Sequence, residues 1–270
     1  MGGLWRAYPR WNHARAISKL KNDRAAGPDG IPPELLKSAI GPVAEAQHAL
    51  LIKVCRSGRI PADWKDRILI ALYKGKGAKT ECGNYRPITL LFVPGKVFAN
   101  VLLECIQPLI NTNHHPEQSG FIASHSTVDA MLALRLLSDL HREFDGPLNV
   151  AFLNVKAAFD SINMQALWKA LHSRGIPDFL IDLIAALHKN TGAWVRLGQN
   201  FSGRLQTTSR VRQGCALAWA LFSIAIDWIF RHMSVKPELV VGRDKFSDLV
   251  YVHYTALLIN LVNVIFYVAR

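Results

Sequence analysis

The segment that most constrains the fold is LNVAFLNV at residues 148–155, a nearly unbroken apolar run with the length of one strand. Such a run is typical of a β-strand that is covered on both faces. Two helical patterns follow it, MQALWKALHSR (164–174) with Asn163 as N-cap and PDFLIDLIAALHKN (177–190) with Pro177 at its start. The sequence therefore predicts a buried strand followed by two helices in this region.

Further helices and strands are predicted on both sides of this segment. Residues 126–143 form an amphipathic helix whose exposed side carries an Arg135–Asp139 pair. Its apolar side repeats every four positions and consists of Val128, Leu132, Leu136 and Leu140. The other predicted elements are a helix after the Gly/Pro turn of 25–37, a strand at 64–73, a hairpin of 193–198 with 201–208 around Gln199-Asn200, and a helix at 216–233. Strands and helices do not alternate strictly, which predicts an α+β fold.

Residues 249–269 contain no Asp, Glu, Lys or Arg, and 21 residues are enough to span a bilayer. Asn260 and Asn263 lie inside this stretch, His253 and three tyrosines interrupt it, and β-branched residues are frequent. These features favour buried strands over a membrane helix.

Composition favours a basic globular protein. The chain has 270 residues, of which 50% are hydrophobic, so global disorder is excluded. Lys and Arg number 32 against 20 Asp and Glu, which gives a formal charge of +12 and favours a polyanionic partner such as nucleic acid. A basic soluble protein without such a partner is the alternative.

Cysteine spacing and the N-terminus bear on the compartment. Cys55, Cys82, Cys105 and Cys215 form no CxxC pair and no Cys/His ligand spacing, so neither a zinc module nor a disulfide scaffold is indicated. Residues 1–20 carry four basic residues but no apolar stretch, so no secretory signal peptide is expected. We expect an intracellular protein with reduced thiols.

Seven segments in fixed order together resemble the reverse transcriptase domain of non-LTR (LINE-type) retrotransposons. They are KLKNDRAAGPDGIPPELLK (19–37), ALYKGKGAKTECGNYRPITLL (71–91), KVFANVLLECIQPLI (96–110), PEQSGF (116–121) with STVDAMLALRLL (126–137), AFLNVKAAFDSI (151–162), VRQGCALA (211–218) and DKFSDLVY (244–251). One such motif is weak evidence, whereas seven in register are strong. The resemblance assigns residues 15–258 to this domain and leaves a basic segment, 1–14, and an apolar tail, 259–270, unassigned.

The resemblance implies a right-hand polymerase made of fingers and palm, with the thumb missing from this chain. It implies an RNA template and a DNA primer as partners, with a nuclear or cytoplasmic location. No obligate protein partner is inferred, and a membrane is not expected. In the family, two Mg²⁺ ions held by three aspartates activate the primer 3′-hydroxyl and stabilise the leaving oxygen.

All three aspartate positions are substituted in this sequence. Asn154 stands in AFLNVKAAFD where the family has Asp, and His253 and Tyr254 stand in YVHY where the family has YADD. The formal ligand charge falls from −3 to 0, which does not compensate two divalent cations. Imidazole favours zinc or copper over magnesium, and the phenol is protonated at pH 7. We therefore expect no metal cofactor and no polymerase activity.

Two nearby acids are weak candidates to rescue such a site. Asp160 follows Asn154 by six residues, which is about 20 Å along an extended strand. Asp248 precedes His253 by five residues, so a regular strand places the two on opposite faces. A solvated or capping carboxylate is the expected role of both acids.

The sequence matches the family better at its nucleotide-binding positions than at its three aspartate positions. Lys74, Lys76 and Arg86 match cationic contacts to an incoming triphosphate, Phe159 matches an aromatic residue under the nucleotide sugar, and Gln213 and Gly214 match a loop at the templating pair. Gly75 and Gly77 would let backbone amides approach phosphate. An ordinary solvated turn for the lysines and a core role for Phe159 are the alternatives.

Further departures indicate a decayed and truncated copy of a retroelement. Ile122, Ser124 and His125 replace family Arg, Gly and Arg, while Arg210 and Trp219 replace Gly and Pro. A His-Tyr hairpin loop is also poor turn chemistry. The sequence thus predicts an inactive reverse transcriptase fold, with a residual nucleic-acid-binding module and a product without a stable fold as alternatives.

Overall fold

The computed structural model describes residues 10–112, 126–145, 148–154, 158–207, 211–212, 214–232, 239–241, 244–246, 248–251 and 254–259. The helices are α1 Arg10–Ser18, α2 Pro33–Ser38, α3 Ile40–Ser57, α4 Ala62–Lys65, α5 Val93–Thr112, α6 Thr127–Glu143, α7 Ala158–Ser161, α8 Met164–Ser173, α9 Asp178–His188 and α10 Leu217–Arg231. The strands are β1 Arg67–Tyr73, β2 Tyr85–Leu91, β3 Asn149–Asn154, β4 Thr191–Leu197, β5 Asn200–Phe201, β6 Leu205–Thr207, β7 Leu239–Val241, β8 Asp244–Phe246, β9 Asp248–Tyr251 and β10 Tyr254–Ile259.

A mixed five-stranded sheet forms one part of the fold. Its order is β2-β1-β4-β5, and β6 also pairs with β4. Strand β1 runs antiparallel to β2 and parallel to β4. The buried carboxylate of Asp66, just before β1, accepts hydrogen bonds from the backbone N–H of Gly192 at 2.7 Å and from Nη2 of Arg204 at 2.8 Å. This one carboxylate therefore ties together the beginnings of β1 and β4 and the approach to β6.

A second sheet has three strands, in the order β3-β10-β9, with both pairs antiparallel. Helix α6 contacts β9, and Leu137 on that helix packs with Leu148 and Val150. Strands β7 and β8 form a separate two-stranded pair. The arrangement is a mixed α/β fold with one mixed sheet, as the lack of strict alternation in the sequence predicts.

The main core lies among the helices. Helix α5 runs through it and contributes Phe98, Leu102 and Ile106, which are fully buried. Residues 93–111 of this helix are the one described segment long and apolar enough to cross a membrane, but half of the window is buried inside the protein, as in a core helix. Helices α8 and α10 pack on each other and are joined by the buried Asp227, which pairs with Arg174 and, at 3.1 Å, with Nε of Arg231.

Several predicted elements are confirmed. Asn163 caps α8 by accepting hydrogen bonds from the N–H groups of Gln165 and Ala166, and α9 begins directly after Pro177. Ser126 and Asp129 form a capping box at the start of α6, and Nε of Arg135 donates to Asp139 at 2.8 Å. Two predictions of bounds are wrong. Trp64 lies in the short helix α4 rather than in the strand, and the β4–β5 turn is Gly198-Gln199 rather than Gln199-Asn200.

The predicted burial of two segments is also wrong. Strand β3 is not covered on both faces, because Phe152 is 74% exposed. In α6, the stripe of Val128, Leu132 and Leu136 is exposed, and Leu137 lies on the buried side instead. The periodicity correctly indicates an amphipathic helix, but the face that meets the sheet is the narrower one through Leu137.

Two neighbouring leucines in α6 test this assignment. Replacing Leu137 (7% exposed) by alanine should lower the free energy of unfolding by about 2–4 kcal/mol, because it removes packing against Leu148 and Val150. The same change at Leu136 (59% exposed) should stay within about 0.5 kcal/mol. Urea denaturation of both variants gives the two values. A larger loss for Leu136→Ala than for Leu137→Ala would reverse the assigned face.

Candidate functional site

The end of β3 and the start of β10 meet in the second sheet. The antiparallel register places Asn154 directly opposite Tyr254, and residues directly opposite in such a pair lie on the same face. Strand β10 also pairs with β9, where Tyr251 lies opposite Tyr254. Two positions a hundred residues apart in the sequence are therefore neighbours across one strand pair.

The β9–β10 pairing also fixes the hairpin loop. Since Tyr251 and Tyr254 are the last paired residues, the loop is 252–253, and His253 lies outside the described residues. The predicted His-Tyr loop is wrong, because Tyr254 is already the first residue of β10. The register nevertheless brings Asn154 and Tyr254 together at one end of the sheet.

Neither nearby acid lies beside Asn154 and Tyr254 on their face of the sheet. Asp248 lies opposite Leu257, which puts it on the other face from Tyr254 in the alternation of β10. Asp160 lies in α7, exposed, and is close enough to the Arg67 guanidinium to raise its pKa, although burial of Arg67 lowers that pKa more. Asp160 therefore faces a cation.

The donors at this end of the sheet do not suit magnesium. Asn154 offers a neutral amide, Tyr254 a protonated phenol and His253 an imidazole, whereas Mg²⁺ requires hard, mostly anionic oxygen ligands. Within the described ranges, no three His, Cys, Asp or Glu side chains come together as metal ligands. The residues present do not fit a pair of Mg²⁺ ions.

The predicted cationic residues lie on and around the β1–β2 hairpin. Lys74 follows β1, and its Nζ donates to the carbonyl oxygen of Gly83 at 2.7 Å, so this ammonium group braces its own loop. Lys76 lies exposed at the loop tip, and Arg86 lies exposed on β2. Gly77 has φ +82°, and a Cβ there would lie 2.4 Å from Nδ2 of Asn84, so the loop requires glycine at this position.

Phe159 and the turn at 211–215 form the second group of predicted binding residues. The N–H of Val211 donates to the carbonyl oxygen of Phe159 at 3.3 Å, and the Phe159 ring lies 4.8 Å from that of Phe222. Gly214 has φ +81°, and a Cβ there would lie 3.3 Å from the carbonyl oxygen of Thr89 on β2. The turn thus joins Phe159 to the β1–β2 hairpin, while Gln213 lies outside the described residues.

Sequence reasoning missed the residue that anchors this turn. Arg212 is only 2% exposed, and its Nη1 donates to the carbonyl oxygen of Trp64 at 2.9 Å. Its Nε and Nη2 are buried without a hydrogen-bond partner among the described residues. The sequence signal was its place beside Gln213 and Gly214, but an arginine next to a predicted binding loop is normally expected at the surface.

His188, at the end of α9, is a second buried polar group that the sequence did not indicate. Burial, reinforced by the guanidinium groups of Arg212 and Arg67, lowers the pKa of His188 to about 4. Its Nδ1 lies 2.8 Å from the carbonyl oxygen of Ile184, so the neutral ring donates there. A neutral imidazole allows the two arginines to lie close to it.

The stability of the fold should therefore depend on the protonation of His188. The unfolded chain binds this proton near pH 6.5, but the folded chain binds it only near pH 4, so the free energy of unfolding should fall as the pH drops between these values. This lowering of the His188 pKa corresponds to a loss of about 3 kcal/mol in the free energy of unfolding across that pH range. Urea denaturation between pH 7 and pH 4 measures it, with His188→Gln as the control that lacks this titration. Parallel pH curves for the two proteins would contradict the assignment.

The family model for reverse transcriptase (RNA-dependent DNA polymerase) matches residues 74–255, about two thirds of the chain. The chain belongs to this family, and its resemblance to the LINE-type reverse transcriptase domain is confirmed.

The relatives come from transposable elements. The chain is 24% identical over 216 residues to a transposon TX1 uncharacterized 149 kDa protein of Xenopus laevis (79% of this chain, 16% of the relative). It is 24% identical over 251 residues to a retrovirus-related Pol polyprotein from the type-1 retrotransposable element R2 of Nasonia vitripennis (92% of this chain, 23% of the relative). It is 29% identical over 155 residues to a probable RNA-directed DNA polymerase from transposon X-element of Drosophila melanogaster (55% of this chain, 17% of the relative). The chain thus spans less than a quarter of the length of these relatives.

Proposed function

We propose that this chain is a reverse transcriptase-type domain, built from fingers and palm, that binds nucleic acid but does not polymerise. In this proposal the five-stranded sheet belongs to the fingers and the β3-β10-β9 sheet to the palm. Asn154, His253 and Tyr254 occupy the positions of the family's three metal-binding aspartates. The bound partners are an RNA template and its DNA primer.

The observation that supports the loss of polymerase activity is the register between β3 and β10. It brings Asn154, the last residue of β3, opposite Tyr254, the first residue of β10. Carboxylates at positions 154 and 254 would be cross-strand neighbours, which supports the assignment of these two positions. The residues actually present carry no negative charge at pH 7, so nothing at this end of the sheet offsets two divalent cations.

Retained binding is supported by the cationic and glycine positions of the hairpin and turn. Lys76 and Arg86 are exposed, and Gly77 and Gly214 adopt the left-handed conformation that the close approach of neighbouring atoms requires. Phe159 is held beside the turn by the hydrogen bond from Val211. These groups bind phosphate and base without a metal, so their contribution survives the loss of the carboxylates.

Restoring the three carboxylates tests the assignment. Asn154→Asp, His253→Asp and Tyr254→Asp together should convert an inactive protein into one that extends oligo(dT) on poly(rA) with Mg²⁺. Metal-ion catalysis supplies several kcal/mol of transition-state stabilisation, so the gain should be about 10³-fold or more over the unmodified chain. Primer extension followed by gel electrophoresis measures it.

The matched control carries alanine at the same three positions and should remain inactive. Clear extension by the unmodified chain with Mg²⁺ or Mn²⁺ would overturn the proposed loss of activity. A restored variant that melts cooperatively and binds the template but fails to extend the primer would show that these positions are not the metal-binding ones.

A further inference from the structure

Strand β3 forms one edge of the three-stranded sheet. Among the described residues, β10 is the strand that pairs with β3, and β9 lies beyond β10. The other side of β3 therefore presents backbone N–H and C=O groups along Asn149–Asn154, a length of about 20 Å. Such an edge is a template for pairing with a further strand.

The other edge strands of the two larger sheets carry features that hinder such pairing. Strand β2 contains Arg86 and Pro87, and β5 and β6 are only two and three residues long. Strand β9 begins with Asp248 and is contacted by helix α6. Charged residues, proline, short length and cover by a helix are the usual protection of a sheet edge.

Strand β3 lacks the charge and the proline that protect β2. Its six residues, NVAFLN, include no charged residue, no proline and no glycine. The ring of Phe152, within this strand, is 74% exposed, so its burial against a partner would stabilise the pairing. An apolar, uncharged edge strand of this length is suited to a partner that supplies another strand.

We propose that two copies of this chain pair through β3, edge to edge and antiparallel, so that their three-stranded sheets join into one sheet of six strands. The two copies are related by a two-fold axis perpendicular to the sheet, because that symmetry places one strand antiparallel to its own copy. This inference depends neither on the proposed loss of polymerase activity nor on nucleic-acid binding.

The symmetry decides which side chains meet across the two strands. Directly opposite residues in an antiparallel pair lie on the same face of the sheet, and the two-fold axis keeps each face on its own side. Phe152 therefore lies beside a residue of its own row in the second copy, which is Val150, Phe152 or Asn154. In each of these registers the exposed ring gains a cross-strand neighbour.

Charge favours a second copy over other occupants of this edge. Strand β3 offers no cation to a nucleic-acid strand and no ion-pair partner to a charged peptide. A second β3 is equally uncharged, so the strand pair itself brings no like charges together, although each whole chain carries +12. Dimerisation should therefore strengthen as salt screens the repulsion between the two chains, which is the opposite of the salt dependence of nucleic-acid binding.

The test is sedimentation equilibrium of the full chain without nucleic acid. One pair of six-residue strands is a small interface, so we expect a dimer with a Kd of about 10–100 µM at about 300 mM salt. The Kd should be larger at about 50 mM salt. Phe152→Lys should raise the Kd about 100-fold, because the symmetry removes two rings at once and places two cations in one short strand pair.

The matched control is Phe144→Lys. Phe144 is also 74% exposed but directly follows α6 rather than lying in a strand, so this variant should dimerise like the unmodified chain. Photoactivated p-benzoylphenylalanine in place of Phe152 should cross-link to residues 148–155 of the second copy. Mixing ordinary chains with nitrogen-15-labelled chains shows by mass spectrometry that the cross-link joins two molecules.

Several results would overturn the inference. They are a folded chain that stays monomeric at about 500 µM, a dimer that Phe152→Lys leaves intact, and a cross-link to residues outside 148–155. Open-ended assemblies would also contradict it, because one β3 edge per chain closes the pairing at two copies. A chain that binds nucleic acid but does not dimerise would leave the proposed function standing while this inference fails.

Discussion

The antiparallel pairing of β3 with β10 is the contact on which the candidate site depends. It joins segments that are far apart in the sequence, and its register alone decides that Asn154 lies opposite Tyr254. A shift by one residue would move every side chain of β10 to the other face and separate these positions. The pairing with β9 adds the hairpin loop at the same end of the sheet. The backbone thus brings positions 154 and 254 together whatever side chains they carry.

The order of the motifs and most of the helices could be predicted from the sequence, because caps, prolines and apolar periodicity are local signals. The sequence could not predict which face of α6 is exposed, because Leu136 and Leu137 are equally apolar. Only the position of Leu148 and Val150 decides that Leu137 is the buried one. The candidate positions Asn154, His253 and Tyr254 could be named from the sequence, but the placement of Asn154 opposite Tyr254 required the observed register. Buried Arg212 and His188 were missed, because long-range contacts rather than local patterns hold them.

Charge connects these observations. The chain carries +12, and on the proposed function its three missing carboxylates lie where two metal ions would otherwise bind. On the same proposal Arg86, which is exposed on β2, would meet phosphate directly and would not depend on those metals. Inside the fold, the positive charge of Arg67 and Arg212 is tolerated beside His188 because that imidazole is neutral above about pH 4. On the proposed function, loss of catalysis and retention of a cationic surface are therefore compatible in one fold.

The central claim is that the chain has no functional metal pair while the fold is intact. Binding of Mn²⁺, a hard cation that replaces Mg²⁺ at oxygen sites, tests it directly by electron paramagnetic resonance of the free ion in the presence of the folded protein and a template–primer. We expect no specific binding of Mn²⁺ by the protein beyond that of the template–primer alone. Two additional Mn²⁺ ions bound tightly per folded chain would contradict the claim.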